Sequence, residues 1–437
     1  MGAPTQLSDA CASEVIKDAS VPRNRGARVW RFGEFAALRT LGRRAETHNA
    51  VERRGEAQSA CCACPLSFTL GSWSRETIGS AMKLFTCPVC KQTLHFENSA
   101  CTQCGHALAY LPDRGTLTAL EKVEEQPGVF VALGTKADGA RYRLCGNQID
   151  HSACNWAVPE ADAERLCRAC RLNDIVPDLS IPASKAAWVK LESNKRRMLY
   201  ALLELQLPVE SRTERANGLS FAFKQDMPGQ EKVLIGHDVG LITINIAEAD
   251  APFREKTRLE LGEAYRTLLG HFRHEIGHYY WDRLVANSAF LEPCRALFGD
   301  ERVSYEEAVA IHYRDGAPRD WPSRFVSSYA SMHPWEDWAE TWAHYLHMVD
   351  SLETARSFGM ALRPRSETGK NELAVKSFRL DFDDIDDLLA AWVPLAIALN
   401  ALNRSMGLSD PYPFVMPDPA VQKLRFVHQV IEASSAQ

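Results

Sequence analysis

Apolar positions recur at helical spacing between about Leu259 and Leu284, where Tyr265, Leu268, Leu269, Phe272, Ile276, Tyr279 and Tyr280 return every three or four residues. The spacing predicts one mostly buried helix. A second helix is expected over His333–His344, opening on Pro334, a natural first-turn residue. From Ala186 the pattern is again helical, with Met198, Leu199, Leu202, Leu203 and Leu205 sharing a face. Strand-like runs cover Leu219–Lys224 and Lys232–Ile246, the latter ending in the alternation Leu241–Ile246. Earlier, Gly128–Leu133 and Arg141–Leu144 flank a turn around Ala137–Gly139 and predict a hairpin. The apolar run Leu388–Leu399 is too short for a membrane span and contains Pro394. The segment Phe378–Gly407 and the turn Pro411–Phe414 are expected to cap the core.

Residues 1–81 differ from the rest, being arginine-rich with few periodic segments. They are expected to be a disordered tail or an extension ahead of a natural start at Met82. A chain of 437 residues is long for one core and implies at least two folded units. Its 46% hydrophobic and 24% charged content is that of an ordinary soluble protein. A net charge of −6 disfavours a general nucleic-acid-binding surface. With no apolar signal segment at the N-terminus, the expected location is the cytoplasm.

The candidate chemistry begins at His274-Glu275-Ile276-Gly277-His278. Residues four apart on a helix share a face, so both imidazoles can address one metal ion. Glu275 is rotated by about 100° from His274, where a carboxylate can act as general base without ligating the metal. The alternative is two ordinary helix-face histidines, with Glu275 paired to an arginine such as Arg273. Downstream, Glu336 and Glu340 lie at i and i+4 of the second helix. A catalytic zinc takes three protein ligands and one open position, which Glu336 completes with His274 and His278. Glu340 can then accept a hydrogen bond from the other nitrogen of a ligating histidine and fix its tautomer. Asp337 and Glu340 are the other candidates for third ligand. His271, His333, His344 and His347 are expected to orient neighbours, cap helices or lie at the surface.

Eight of the 13 cysteines fall into two groups. Cys87, Cys90, Cys101 and Cys104 form paired C-x-x-C knuckles, the second followed by Gly105, as in a tetrahedral structural zinc site. Rubredoxin-type iron would use the same ligands. In the second group, Cys145 and Cys154 are widely spaced, whereas Cys167 and Cys170 form a knuckle, with His151 as a substitute ligand. Buried isolated thiols are the alternative there.

These residues resemble the gluzincin metallopeptidases, in particular the branch with an E-F-F-A-E-like third-ligand helix. More specifically, the chain from Met82 onward resembles a bacterial family of zinc-binding metallopeptidases with an N-terminal zinc ribbon. The likeness is carried by the knuckles and by Cys154–Trp156, Leu166–Asn173, Gly236–Asp250, Tyr265–Leu284, Phe298–Arg302 and His333–His347. It implies an α+β, zincin-like peptidase domain over 181–437, preceded by a zinc ribbon over 82–114 and a second four-cysteine module over 115–180. It implies Glu336 as ligand, and Tyr329, seven residues earlier, as a transition-state donor; a core role for Tyr329 is the other possibility. By position in that fold, Leu241–Ile246 would be an edge strand above the metal that holds an extended peptide.

The expectation is therefore a peptidase with one catalytic zinc and one or two structural zincs. Its substrate would be a peptide or protein, cleaved by a water that Glu275 deprotonates, and the zinc modules offer a docking site for a protein partner. The competing class is a partner- or nucleic-acid-binding zinc-ribbon protein whose peptidase-like part is an inactive scaffold.

Overall fold

A computed structural model describes residues 84–435 except 138, 230, 234, 262–265, 366–372 and 379–383. The expectations for residues 1–81 and Tyr265 lie outside the described residues. A short hairpin, β1 (Phe85–Thr86) with β2 (Thr93–Leu94), carries the first knuckle. A five-stranded antiparallel sheet follows in chain order: β3 (Ala107–Leu111), β4 (Thr116–Lys122), β5 (Val129–Ala132), β6 (Arg141–Leu144) and β7 (Ala157–Pro159). The β5–β6 hairpin is the one that alternation predicts.

The expected boundary between residues 114 and 115 falls in the β3–β4 turn, where main-chain pairing joins the two halves. Both cysteine groups therefore hang on one sheet instead of forming separate modules. The second group is completed around the short helix α1 (Gly146–His151) and a one-turn segment, Cys170–Leu172. That turn runs directly into β8 (Asn173–Ile175), an edge strand of the next sheet. Strand β8, just ahead of the boundary expected at 180, pairs with a strand of the domain that follows.

After α2 (Pro182–Glu204) come β9 (Ser220–Lys224), β10 (Gly236–Asp238) and β11 (Leu241–Asn245). The sheet order is β10-β11-β9-β8, with β11 and β8 parallel to β9 and β10 antiparallel to β11. The strand Leu241–Ile246 was expected at the edge, but β11 is an inner strand; the edges are β10 and β8, with β10 beside β11. Ile242 and Ile244 are fully buried, which explains the alternation without any exposed edge.

The remaining elements are helical: α3 (Ala251–Leu261), α4 (Leu268–Tyr280) extended by a π turn (Trp281–Val285), α5 (Leu291–Phe298), α6 (Tyr305–Asp315), α7 (Pro334–Ser357), α8 (Ile385–Ser405) and α9 (Asp418–Ser435). The single helix expected from Leu259 is two, because Thr267 caps α4 by accepting from the Gly270 amide at 3.0 Å. Helix α8 is long and apolar enough to cross a membrane, longer than the apolar run alone suggests. Its Leu388, Leu389, Trp392 and Leu395 are buried in the fold.

One continuous apolar core links the ribbon to the helical domain. At the join, Phe96 and Tyr110 pack on Tyr200 of α2, with ring centroids 5.0 and 5.5 Å apart. Farther in, α4 and α7 cross at very close range. A Cβ on Gly277 would stand 3.0 Å from the Ala339 Cα and 3.2 Å from the Trp342 Cβ. The Trp338 indole donates to the Gly277 carbonyl at 2.8 Å, and Trp342 stacks on Tyr280 at 4.9 Å. Trp338 and Trp342 are thus packing residues, fully buried.

Replacing Gly277 with Ala should lower stability even though alanine gains about 1 kcal/mol of helix propensity. Overfilling a packed contact costs roughly 1–3 kcal/mol. A chemical-denaturation midpoint that stays level or rises would show that α4 and α7 can part without penalty.

Candidate functional site

Both helices are placed by their caps. Thr267 starts α4 so that His274, Glu275 and His278 lie along its contact with α7. His333 caps α7 by accepting from the Trp335 amide through Nδ1 at 3.1 Å, and Pro334 takes the first helical position. Glu336 therefore falls in the first turn, where the helix dipole favours an acidic side chain. Capping is the role expected for one of the extra histidines.

The structure brings His274, His278 and Glu336 together, each offering one donor atom within 4.8 Å of the others. All three are buried. His274 Nε2 is 2.9 Å from Glu336 Oε2, and His278 Nε2 is 3.6 Å from Glu336 Oε1. The opposite nitrogen of His274, Nδ1, lies 2.8 Å from Glu340 Oε1, and the Ser327 hydroxyl holds the other Glu340 oxygen at 2.7 Å. Glu340 is thus where a tautomer-fixing carboxylate was expected. Asp337, the other candidate ligand, points away and accepts from Lys423 at 2.5 Å. Burial pushes the Asp337 carboxyl up to about 7, against the pull of Lys423.

The fit to a cation follows from these contacts. A carboxylate only accepts, so Nδ1 of His274 carries the proton it shares with Glu340. Nε2 of a neutral ring then presents a lone pair to Glu336 Oε2, a buried oxygen with no donor among the described residues. Two acceptors 2.9 Å apart require a positive charge between them. Without a metal, a second proton on His274 supplies it. Burial opposes that charge, but Glu336 and Glu340 together hold His274 well above the ordinary histidine range. Conversely, burial opposes the charges of Glu336 and Glu340, and the facing histidines keep both carboxyls low. A divalent ion replaces that proton and fits two imidazoles and a carboxylate well.

Glu275 is buried with its Oε2 unpartnered. The alternative pairing with Arg273 does not form, since Arg273 engages Asp350 and His347. Arg266 and Arg283 are likewise consumed, by Glu248 at 3.0 Å and Glu210 at 2.5 Å. Glu275, His274 and Tyr329 line a cavity of about 490 Å³, together with Trp321, Val326, Phe414 and Val415. The Tyr329 ring lies 5.8 Å from that of His274. Burial, then the Glu336 charge, pushes its hydroxyl well up, so it stays a donor.

The Pro411–Phe414 turn, expected to cap the core, lines this cavity through Pro413 and Phe414. The Tyr412 hydroxyl meets His344 Nδ1 at 2.7 Å, and Phe414 packs 4.3 Å from the same ring. His237, on edge strand β10, makes a turn contact: its Nε2 accepts from the Gly240 amide at 2.9 Å. Burial and the neighbouring His278 push it down to about 3, so it stays neutral. Three neighbours of the site were not anticipated: Ser327, Trp335, whose ring lies 4.3 Å from His278, and Tyr305, whose hydroxyl donates to Glu336 Oε1 at 2.9 Å. No periodicity marks them; they arrive from loops and helix ends.

Each cysteine group closes into a cluster with all sulfurs within 4.8 Å. Cys87–Cys104 and Cys90–Cys101 are 3.7 and 3.5 Å apart; Cys154 is 3.6 Å from Cys167 and 3.7 Å from Cys170. A tetrahedral zinc with bonds of about 2.3 Å gives sulfur separations of about 3.8 Å, whereas a disulfide needs about 2 Å. Cys145 supplies the fourth sulfur of the second set. His151 is no substitute, since its ring packs edge-on against Trp188.

Comparison with known proteins places the chain in a family. Residues 184–430 match the family described as "Putative zinc-binding metallo-peptidase", and residues 84–181 match a zinc-ribbon domain. The chain belongs to that peptidase family, with the ribbon N-terminal to it, and zinc is the metal both descriptions name. The ribbon match spans both sulfur clusters, as the shared sheet does. Uncharacterized proteins of Mycobacterium tuberculosis and Mycobacterium bovis are each 42% identical over 353 residues, covering 80% of this chain and 96% of theirs. No solved structure matches the chain.

Zinc binding at His274, His278 and Glu336 should expel the extra proton of His274. Because that proton is held above the ordinary histidine range, affinity should climb by about tenfold per pH unit through neutrality and level off above the raised pKa. Competition titrations with the sulfur sites kept loaded, plus calorimetry in two buffers, measure this. A pH-independent affinity with no proton release would remove the proposed charge between Nε2 and Oε2.

Proposed function

We propose that the chain is a zinc-dependent peptidase that hydrolyses peptide bonds in a peptide or protein substrate. The observation that carries this reading is Glu275, a residue of the cavity lining with one buried, unpartnered carboxylate oxygen, adjacent in sequence to His274 of the His274, His278 and Glu336 set. A scaffold that only needed the helices to pack would have no use for a buried, unpaired acid there.

His274, His278 and Glu336 would hold the ion. Zinc in such a set supplies Lewis acidity, polarising a carbonyl and bringing the pKa of water near neutrality. Glu275 takes a proton from the water that adds to the scissile carbonyl carbon. As the carbon–nitrogen bond breaks, the same carboxyl returns that proton to the departing amine. Tyr329, kept protonated by burial, donates to the oxygen on which negative charge develops. Glu340 keeps the His274 proton on Nδ1, with Ser327 fixing the carboxylate's rotation. The exposed edge of β10 offers main-chain groups to an extended substrate, the place first expected of β11.

The two sulfur clusters would each hold a structural zinc, so the loaded chain carries three ions. Eight thiols kept reduced for metal binding support a cytoplasmic location.

Glu275→Gln should abolish peptide hydrolysis while leaving about three zinc ions per chain, and His278→Ala should lose one of the three. Metal analysis and a peptide-library digest read both. Hydrolysis retained by the Gln variant rejects the role of Glu275; a wild-type chain with only two ions, neither labile, favours the partner-binding reading.

A further inference from the structure

We infer that Tyr305 is a positioning residue that selects which oxygen of Glu336 faces the metal. This rests on the proposal that His274, His278 and Glu336 hold an ion. Tyr305 is the first residue of α6, a helix with no buried residue at all. The residue is 40% exposed, yet its hydroxyl donates to the buried Glu336 Oε1 at 2.9 Å.

A carboxylate beside a metal can bind through one oxygen or both. Here the phenol occupies Oε1, while Oε2 is buried, lacks a donor among the described residues and stands 2.9 Å from His274 Nε2. Both oxygens face an imidazole, Oε2 that of His274 at 2.9 Å and Oε1 that of His278 at 3.6 Å, but Oε1 alone also receives the phenol, so their environments are unequal. The hydrogen bond makes Glu336 a one-oxygen ligand and leaves room for water and substrate. Burial and the Glu336 charge both disfavour phenolate, so Tyr305 remains a donor.

The delivery of Tyr305 is itself built. The Phe298–Arg302 stretch, which the mechanism leaves unused, locks the approach to α6: Arg295 grips Glu301 at 2.5 Å and Arg302 closes on Asp300 at 2.7 Å. His333 donates from Nε2 to the Val303 carbonyl at 3.2 Å while its Nδ1 caps α7. One imidazole therefore ties the loop carrying Tyr305 to the helix carrying Glu336. The Tyr305 ring packs 5.2 Å from His333. Tyr329 lines the cavity and its phenol adjoins that of Tyr305, but the bond to Glu336 Oε1 comes from Tyr305.

The test uses the full zinc-loaded chain and follows zinc transfer to a colorimetric chelator without denaturant, alongside melting of the metal-free protein. Wild type should release one equivalent readily and keep two. Tyr305→Phe should release that same equivalent about 10–100-fold faster, the usual effect of losing a partner of a metal ligand, with unchanged metal-free melting. Tyr329→Phe should release zinc at the wild-type rate and lose hydrolysis. Wild-type retention in Tyr305→Phe overturns the inference while leaving the peptidase proposal standing. Equal acceleration in both Phe variants overturns it as well, since the effect would not be specific to the Glu336 bond. A wild-type chain with no readily released equivalent overturns both.

Discussion

The close crossing of α4 and α7 governs the rest of the structure. At Gly277 and Ala339 the backbones touch with no side chain between them, and within one turn of that contact this proximity sets His274 and His278 against Glu336 and Glu340. A methyl group of separation would lengthen each of these polar contacts. Burial makes the distances consequential: removing acids and imidazoles from water costs several kcal/mol each unless opposite charge is close at hand. The tryptophans of α7 hold the helices at this range, Trp338 by bonding to the very carbonyl of Gly277. Packing and chemistry are therefore one constraint.

A similar constraint joins the ribbon to the peptidase domain. The second sulfur cluster is wholly buried, and a four-thiolate zinc centre carries a net charge of about −2. Beside it, α2 presents Arg196, which donates to the Ala153 carbonyl at 2.7 Å, and a fully buried Lys195–Glu192 pair at 2.8 Å. The thiolates and Glu192 more than offset the burial that would otherwise weaken the Arg196 charge. Asn173, at the start of β8, bonds both Glu192 and Lys195. The cluster, the helix and the edge strand of the four-stranded sheet thus share one polar network. For this reason the ribbon is better described as part of the peptidase domain's foundation than as an appended module.

What could be read in advance follows from the range of the interactions involved. His274, His278, Glu336 and Glu340 were legible because helix geometry fixes which residues share a face, and metal chemistry fixes how many donors are needed. The first cysteine group was legible through its knuckle spacing. Strand order was not: alternation in Leu241–Ile246 reports burial, and an inner strand alternates as readily as an edge strand. Nor was the pairing of β3 with β4 and of β8 with β9 legible, since it joins, across the expected boundaries, segments whose local patterns carry no sign of it. Tyr305 was invisible because a phenol at the start of a polar helix has no periodic signature; only the fold shows that it reaches Glu336.

The unequal treatment of similar groups is what turns this cluster into a site capable of chemistry. Four carboxylates lie close together on α4 and α7, and each meets a different partner. Glu340 is saturated by His274 and Ser327, and Asp337 is matched to Lys423. Glu336 is half satisfied by Tyr305, while Glu275 has an oxygen with no partner. An acid whose hydrogen-bonding capacity is already met is a poor proton acceptor, and one held by a lysine is a poor ligand. In the proposed reaction, Glu336 Oε2 would then face the cation and Glu275 would exchange the proton. Chemically identical side chains acquire different roles through the neighbours that packing assigns to them.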